Sequence, residues 1–154
     1  MKYISKVFGV IIPFLLALLG FSCDPDIRVE YGSPSATYKA KGVVVSEADN
    51  SPIEGIQANL LKRYDSYDNE KAFYREIATT YTNSQGYFFL EGSEHSSGLK
   101  LYLELTDGDE ETDGSYERML MEADYSNKTF TGGSGNWYSG EAEINFGTIK
   151  MKPE

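Results

Sequence analysis

Apolar side chains at every second position are the feature of this 154-residue sequence that most restricts its fold. Leu99, Leu101, Leu103 and Leu105 alternate with other residues through the stretch 98–106. A period of two places the leucines on one face of an extended strand, because successive side chains of a strand point to opposite sides. The pattern therefore predicts a half-buried strand whose apolar face packs against a second layer.

Similar stretches recur along the chain, with turn-forming sequences such as 49–52 and 83–86 between them. We expect strands at 38–45, 56–62, 73–82, 87–90, 98–106, 118–124 and 141–152. Helical periodicity is absent after residue 22, and the many Tyr and Phe residues favour strands. The prediction is an all-β domain, a two-sheet sandwich of immunoglobulin-like size with about seven strands.

The first 22 residues have the pattern of a signal peptide. Lys2 and Lys6 precede an apolar run at 7–21, and the small residue Ser22 follows it. A transmembrane helix is the weaker alternative, since a span needs about 20 apolar residues. Pro13 would also kink such a helix.

Cys23 is the single cysteine of the chain and directly follows this segment. The residues 20–23 (Gly-Phe-Ser-Cys) resemble the lipobox of bacterial lipoproteins, which implies cleavage before Cys23 and lipidation of its thiol. An ordinary secretory signal is the alternative. Asp24, Asp26 and Glu30 resemble the export signals that place some lipoproteins on the outer face of the cell. The alternative is that these acids belong to a plain solvated linker. We expect a protein anchored in the bilayer of the cell envelope, in the outer membrane, and the sequence leaves open whether it is exposed at the surface.

Charge and cysteine content restrict what the mature chain does. Loss of Lys2 and Lys6 with the signal peptide takes the net charge from −10 to −12, which disfavours nucleic acid as a partner. Without a cysteine besides the anchor, the domain has no disulfide, thiolate zinc site or cysteine nucleophile. We expect a signal peptide at 1–22, a linker at 23–36 and one β-sandwich at 37–152.

Two stretches resemble the carboxypeptidase regulatory-like, or transthyretin-like, β-sandwich. The first, 42–58, contains Pro52 and Gly55 in a Pro-x-x-Gly turn. The second, 80–90, contains an Asn-x-x-Gly-x-Phe turn that begins at Asn83. The resemblance implies a sandwich fold and a role as a stalk, spacer or adhesion unit, and it does not assign an activity.

A narrower resemblance covers most of the chain. The signal with Cys23 and the segments 31–36, 107–109 and 133–140 are similar to the radical SAM-associated putative lipoproteins. Those proteins are small envelope proteins encoded beside radical SAM enzymes. The resemblance implies that such an enzyme is a partner of this chain, which would then also be a candidate substrate.

An acidic stretch is the candidate metal site. Asp109, Glu111 and Asp113 alternate as the oxygen ligands of an EF-hand loop do, but Leu120 stands where a bidentate Glu is required. A true EF-hand is therefore excluded. We expect this stretch to be a solvated connection between strands, and we predict no cofactor. The alternative is a looser calcium site that also uses Asp107.

Trp137 and Tyr138 lie in the glycine-rich stretch 132–140 and are candidates for binding a glycan or a protein partner. The alternative is that Trp137 packs over one end of the sandwich while the glycines shape a loop. His95, the single histidine, lies in an apparent turn without a nucleophile motif, so we expect a surface residue and no enzyme. The expected function is a non-catalytic interaction or structural module, with glycan binding as the alternative.

Overall fold

Seven β-strands make up the regular structure of the residues that the computed structural model describes, which are 33–65, 72–97, 100–107 and 116–154. The strands are β1 (Ser35–Ser46), β2 (Ile56–Tyr64), β3 (Phe73–Tyr81), β4 (Tyr87–His95), β5 (Lys100–Asp107), β6 (Met119–Asp124) and β7 (Tyr138–Met151). The described part contains no helix, and hence none with the length and apolar character of a membrane span. The predicted all-β class, with seven strands in two sheets, is confirmed.

The strands form a three-stranded sheet in the order β4-β1-β7 and a four-stranded sheet in the order β3-β2-β5-β6. β1 runs antiparallel to β4 and parallel to β7, whereas every pair in the four-stranded sheet is antiparallel. β1 is thus the centre of its sheet and takes its neighbours from distant parts of the sequence.

The core lies between the inner faces of the two sheets. Leu101, Leu103 and Leu105 are fully buried, as their alternation predicts, while Leu99 lies outside the described residues. Tyr38 and Tyr125 are buried beside them with ring centroids 5.0 Å apart in a T-shaped pair. Each buried hydroxyl donates to a backbone carbonyl, Tyr38 to His95 (3.0 Å) and Tyr125 to Lys39 (2.8 Å), which offsets the loss of hydration.

β1, β2, β4 and β7 extend further than the sequence indicates, and the extensions of β4 and β7 position the site described below. β4 continues to His95, so the expectation that His95 lies in a turn is wrong. The cause is the ladder to β1, in which Ser35 pairs with His95. β7 begins at Tyr138, where Ser35 again is the partner. Ser35 therefore begins β1, two residues before the predicted sandwich boundary.

Segments outside the strands cover both ends of the free edge of β7. Thr131 exchanges two backbone hydrogen bonds with Glu141, and Ser134 bonds to Tyr138. Near the other end, the backbone N–H of Glu117 donates to the carbonyl of Lys152 at 2.9 Å. Covered edges oppose pairing with a strand of another chain.

Candidate functional site

One end of the sandwich brings together the beginning of β1 and β7, the end of β4, the end of β2 and the beginning of β3. The strand ends enclose a shallow depression of about 280 Å³. The residues that line it are Ser33, Ser35, Arg75, Ser93, Glu94 and His95. We call this feature the end depression.

Glu94 forms a buried anionic floor for the end depression, with its side chain only 3% exposed. The carboxylate accepts hydrogen bonds from Lys62 Nζ (3.1 Å), from the backbone N–H of His95 (2.9 Å) and from the guanidinium of Arg75. Burial alone raises the pKa of this carboxyl, but the His95 N–H, Lys62 and Arg75 outweigh it, and the net pKa shift is downward. Glu94 therefore stays ionised and holds the two cations in place.

Arg75 is the exposed cation of this cluster. Its side chain is 53% exposed, and it donates to Glu94 through one terminal nitrogen of the guanidinium. The guanidinium carbon lies 5.6 Å from the centroid of the Tyr64 ring, and Lys62 Nζ lies 5.3 Å from the same centroid. Both cations are within cation–π range of the ring.

The hairpin register explains why these side chains meet. Lys62 and Tyr64 are two residues apart in β2, and their direct partners in β3 are Arg75 and Phe73. All four side chains therefore project from one face of the hairpin. The Tyr64 and Phe73 rings stack with centroids 5.2 Å apart and an interplanar angle of 9°, and Phe73 is 57% exposed. Together they form an aromatic ledge beside Arg75.

Trp137 lies against the same end of the sandwich. Its backbone carbonyl accepts hydrogen bonds from the N–H (2.9 Å) and the hydroxyl (3.2 Å) of Ser35, which also lines the end depression. The Trp137 side chain is 38% exposed. Tyr138 is half-buried, and its hydroxyl donates to Thr37 Oγ1 at 2.9 Å. Tyr138 thus anchors the loop, while Trp137 presents an exposed ring.

The glycines of the stretch 132–140 shape the loop that carries Trp137. Gly140 has φ +102° and lies so close to Thr131 that a Cβ atom would contact its carbonyl oxygen. Gly132 also has a positive φ (+74°), but open space surrounds its Cα. The loop therefore needs glycine at position 140 for close packing as well as for backbone conformation.

Asp107 of the predicted acidic site lies at the other end of the sandwich. Asp107 ends β5 and pairs with Ile56 at the beginning of β2, whereas the end depression is at the end of β2. Asp109, Glu111 and Asp113 lie outside the described residues. Within the ranges that the structure describes, no group of three or more His, Cys, Asp or Glu side chains is arranged to hold a metal ion. The calcium hypothesis thus stays a prediction, as does lipidation of Cys23, which also lies outside these ranges.

Trp137 stands out in the sequence, whereas the other residues of this end do not: Lys62, Tyr64, Phe73, Arg75 and Glu94. Alternation alone indicates that Lys62 and Tyr64 share a face, and that Phe73 and Arg75 do. It does not indicate which residues of β2 and β3 are opposite each other, because a bulge between Leu60 and Leu61 changes the register. His95 was considered only for catalysis, whereas its backbone is a structural partner of Tyr38 and Glu94.

No family model matches the chain, and no curated protein matches it. Among solved structures, it is similar to a 9R-lipoxygenase from Cyanothece PCC8801, with 17% identity and a TM-score of 0.42. That match covers 74% of this chain and 16% of the lipoxygenase chain. A second match is 3-chlorocatechol 1,2-dioxygenase from Rhodococcus opacus 1CP, with 14% identity and a TM-score of 0.44. It covers 82% of this chain and 62% of the dioxygenase chain, so this chain spans only part of either relative.

Proposed function

We propose that this chain is a non-catalytic lipoprotein of the bacterial cell envelope whose sandwich is an interaction module. The observation that carries the proposal is the end depression, where Arg75 is exposed beside the buried Glu94 and the segments next to it carry the exposed Phe73 and Trp137. Tyr, Trp and Arg side chains dominate binding hot spots. The lowered pKa of Glu94 suits a positioning role, because a general acid or base needs a pKa near the working pH.

Membrane attachment through Cys23 is the second part of the proposal, and the sequence at 1–23 supports it. It is tested by fractionating the native bacterium that expresses wild-type protein, Cys23→Ser or Ser22→Ala. We expect wild type and Ser22→Ala in the membrane fraction, since Ala keeps a small residue before the cleavage point. We expect Cys23→Ser in the soluble fraction, and its retention in the membrane would contradict the anchor.

A radical SAM enzyme is the proposed partner on the strength of the family resemblance. The test compares peptide masses of this protein from native cells with and without a co-encoded radical SAM enzyme. A mass shift that depends on the enzyme would identify the chain as its substrate. Identical peptide masses in both strains would remove the substrate hypothesis, and co-purification of the two proteins would then test simple partnership.

Glycan binding is the second candidate function, and Ser35 is the observation that favours it. This residue lines the end depression and also binds the Trp137 backbone carbonyl, so the segment that carries the exposed Trp137 ring is held next to a site lined with serines. A glycan array with wild type, Trp137→Ala and Tyr81→Ala tests this function. Tyr81 is the control because it is also an exposed aromatic residue, but it lies at the opposite end of the four-stranded sheet. We expect Trp137→Ala to lose the array signal and Tyr81→Ala to keep it. The reverse result, or no binding by wild type, would contradict the glycan-binding hypothesis.

A further inference from the structure

We propose that the end depression binds an acidic saccharide, a sugar chain with carboxylate groups, and that Arg75 binds the carboxylate. This inference rests on the glycan-binding candidate function and names its ligand class. It is carried by the charge of the cluster around Glu94, the exposed donors of Arg75 and the aromatic ledge of Tyr64 and Phe73.

The charge of the cluster around Glu94 favours an anionic ligand. The chain has a net charge of −10, yet two cations, Lys62 and Arg75, share the single carboxylate of Glu94. The cluster therefore has one excess positive charge. Because Glu94 is buried and Arg75 is half exposed, the side that faces solvent is the positive one. An anionic group is attracted here and repelled by most of the remaining surface.

The guanidinium of Arg75 has hydrogen-bond donors that suit a carboxylate ligand. A guanidinium carries five N–H donors in a planar fork that matches the two oxygens of a carboxylate. Glu94 takes its recorded bond from one terminal nitrogen of Arg75. Donors on the exposed side of the group thus suit a second, external carboxylate, and Glu94 with the Tyr64 ring holds the fork in position before the ligand arrives.

The surroundings of Arg75 indicate a sugar rather than a simple organic acid. The exposed Phe73 ring stacks on Tyr64 and offers an apolar surface to the C–H face of a pyranose. Ser33 and Ser93 line the depression with hydroxyls that both donate and accept hydrogen bonds, and the Ser35 hydroxyl, which donates to the Trp137 carbonyl, keeps its acceptor capacity. The exposed ring thus lies next to a polar depression, whose hydrogen-bonding groups would fix the orientation of a bound sugar.

The test uses isothermal titration calorimetry on the full chain with trigalacturonic acid and with its uncharged methyl ester. Wild type is expected to bind the acid at least about tenfold more tightly than the ester, as a charge-assisted bond to carboxylate predicts. Arg75→Gln is expected to abolish that preference. Arg63→Gln is the matched control, since Arg63 lies on the opposite face of the same hairpin, paired with Asp65, and it should keep the preference.

The outcomes separate the ligand class from the function. Equal affinity for acid and ester, with binding lost in Trp137→Ala, would overturn the acidic ligand and leave glycan binding intact. Binding of neither sugar would overturn both. If Arg63→Gln and Arg75→Gln lowered the preference for the acid equally, the preference would come from the overall charge of the protein, and the role of Arg75 would be overturned. Arg75→Lys replaces Arg75→Gln if the latter does not fold. It keeps the positive charge beside Glu94 but loses the planar guanidinium, and it is expected to weaken the preference for the acid over the ester.

Discussion

The carboxylate of Glu94 lies 3.1 Å from the ammonium of Lys62, and this ion pair joins β4 of the three-stranded sheet to β2 of the four-stranded sheet. The Glu94 side chain is almost fully buried. A buried carboxylate without its cations is unfavourable, and cations without the carboxylate lose their anchor. The shape of the end depression therefore depends on this contact between the two sheets.

Removal of the buried charge should destabilise the fold. Glu94→Gln is expected to lower the free energy of unfolding by about 3 kcal/mol, the lower part of the range for breaking a buried pair, because Arg75 reaches water. Glu91→Gln is the control, since Glu91 lies in the same strand but its side chain is 53% exposed and 3.5 Å from Lys39. That change should cost less than about 1 kcal/mol. Urea unfolding at pH 7 measures both, and equal losses would contradict the account.

The difference between wild type and Glu94→Gln should depend on pH. The folded-state pKa of Glu94 is lowered, so its stabilising contribution is complete above the unfolded-state pKa of about 4.3 and is lost as pH falls through the folded value. Unfolding free energies measured at pH 7, 5 and 3 should therefore converge for the two proteins at the acidic end. A difference that stays constant to pH 3 would contradict the lowered pKa.

Gly92 is required where β4 passes β3. A Cβ atom at position 92 would lie 2.5 Å from Cγ2 of Ile77 and 3.2 Å from Cβ of Ala78. Gly92→Ala is expected to destabilise the protein by about 1–3 kcal/mol through overpacking. Combination with Ile77→Ala removes the contacting methyl group, so the double variant should lose less than the sum of the single losses. Strict additivity in thermal or urea unfolding would show that the contact is unimportant.

Two glycines of the Trp137 loop should differ in their tolerance of alanine. Gly132→Ala is expected to lose about 1 kcal/mol from its positive φ alone. Gly140→Ala should lose more, because its Cβ would also contact the Thr131 carbonyl and lie 2.9 Å from the Gly133 nitrogen. Tryptophan fluorescence should change only in Gly140→Ala, since Trp137 is the single tryptophan. Equal stability and spectra for both variants would contradict the close packing.

The period of two was sufficient to predict the strands and much of the core. Met119 and Met121 face the core and Leu120 is exposed, as the alternation in β6 indicates. The second half of β4 was missed because Glu91, Gly92 and Ser93 have low strand propensity. Pairing with β1 imposes the extended conformation there. The parallel pairing of β1 with β7 joins residues about a hundred positions apart, which local patterns do not encode.

The candidate site was only partly predictable for a related reason. Trp137 is conspicuous because it is the single tryptophan and glycines surround it. The Glu94 cluster combines side chains of three strands from both sheets, and each of them looks like an ordinary charged surface residue in the sequence. Only the sheet order and the hairpin register bring Lys62 and Arg75 to one carboxylate.

The most direct test of the proposed envelope lipoprotein is the mass of the protein from its native cells, measured intact and after digestion. The account predicts an N-terminal peptide that begins at Cys23 and carries the mass of acyl chains, with no trace of residues 1–22. A further mass shift elsewhere would mark a modified residue and support the radical SAM partnership. A mature chain without acyl mass on Cys23 would contradict the anchor and the localisation that depends on it.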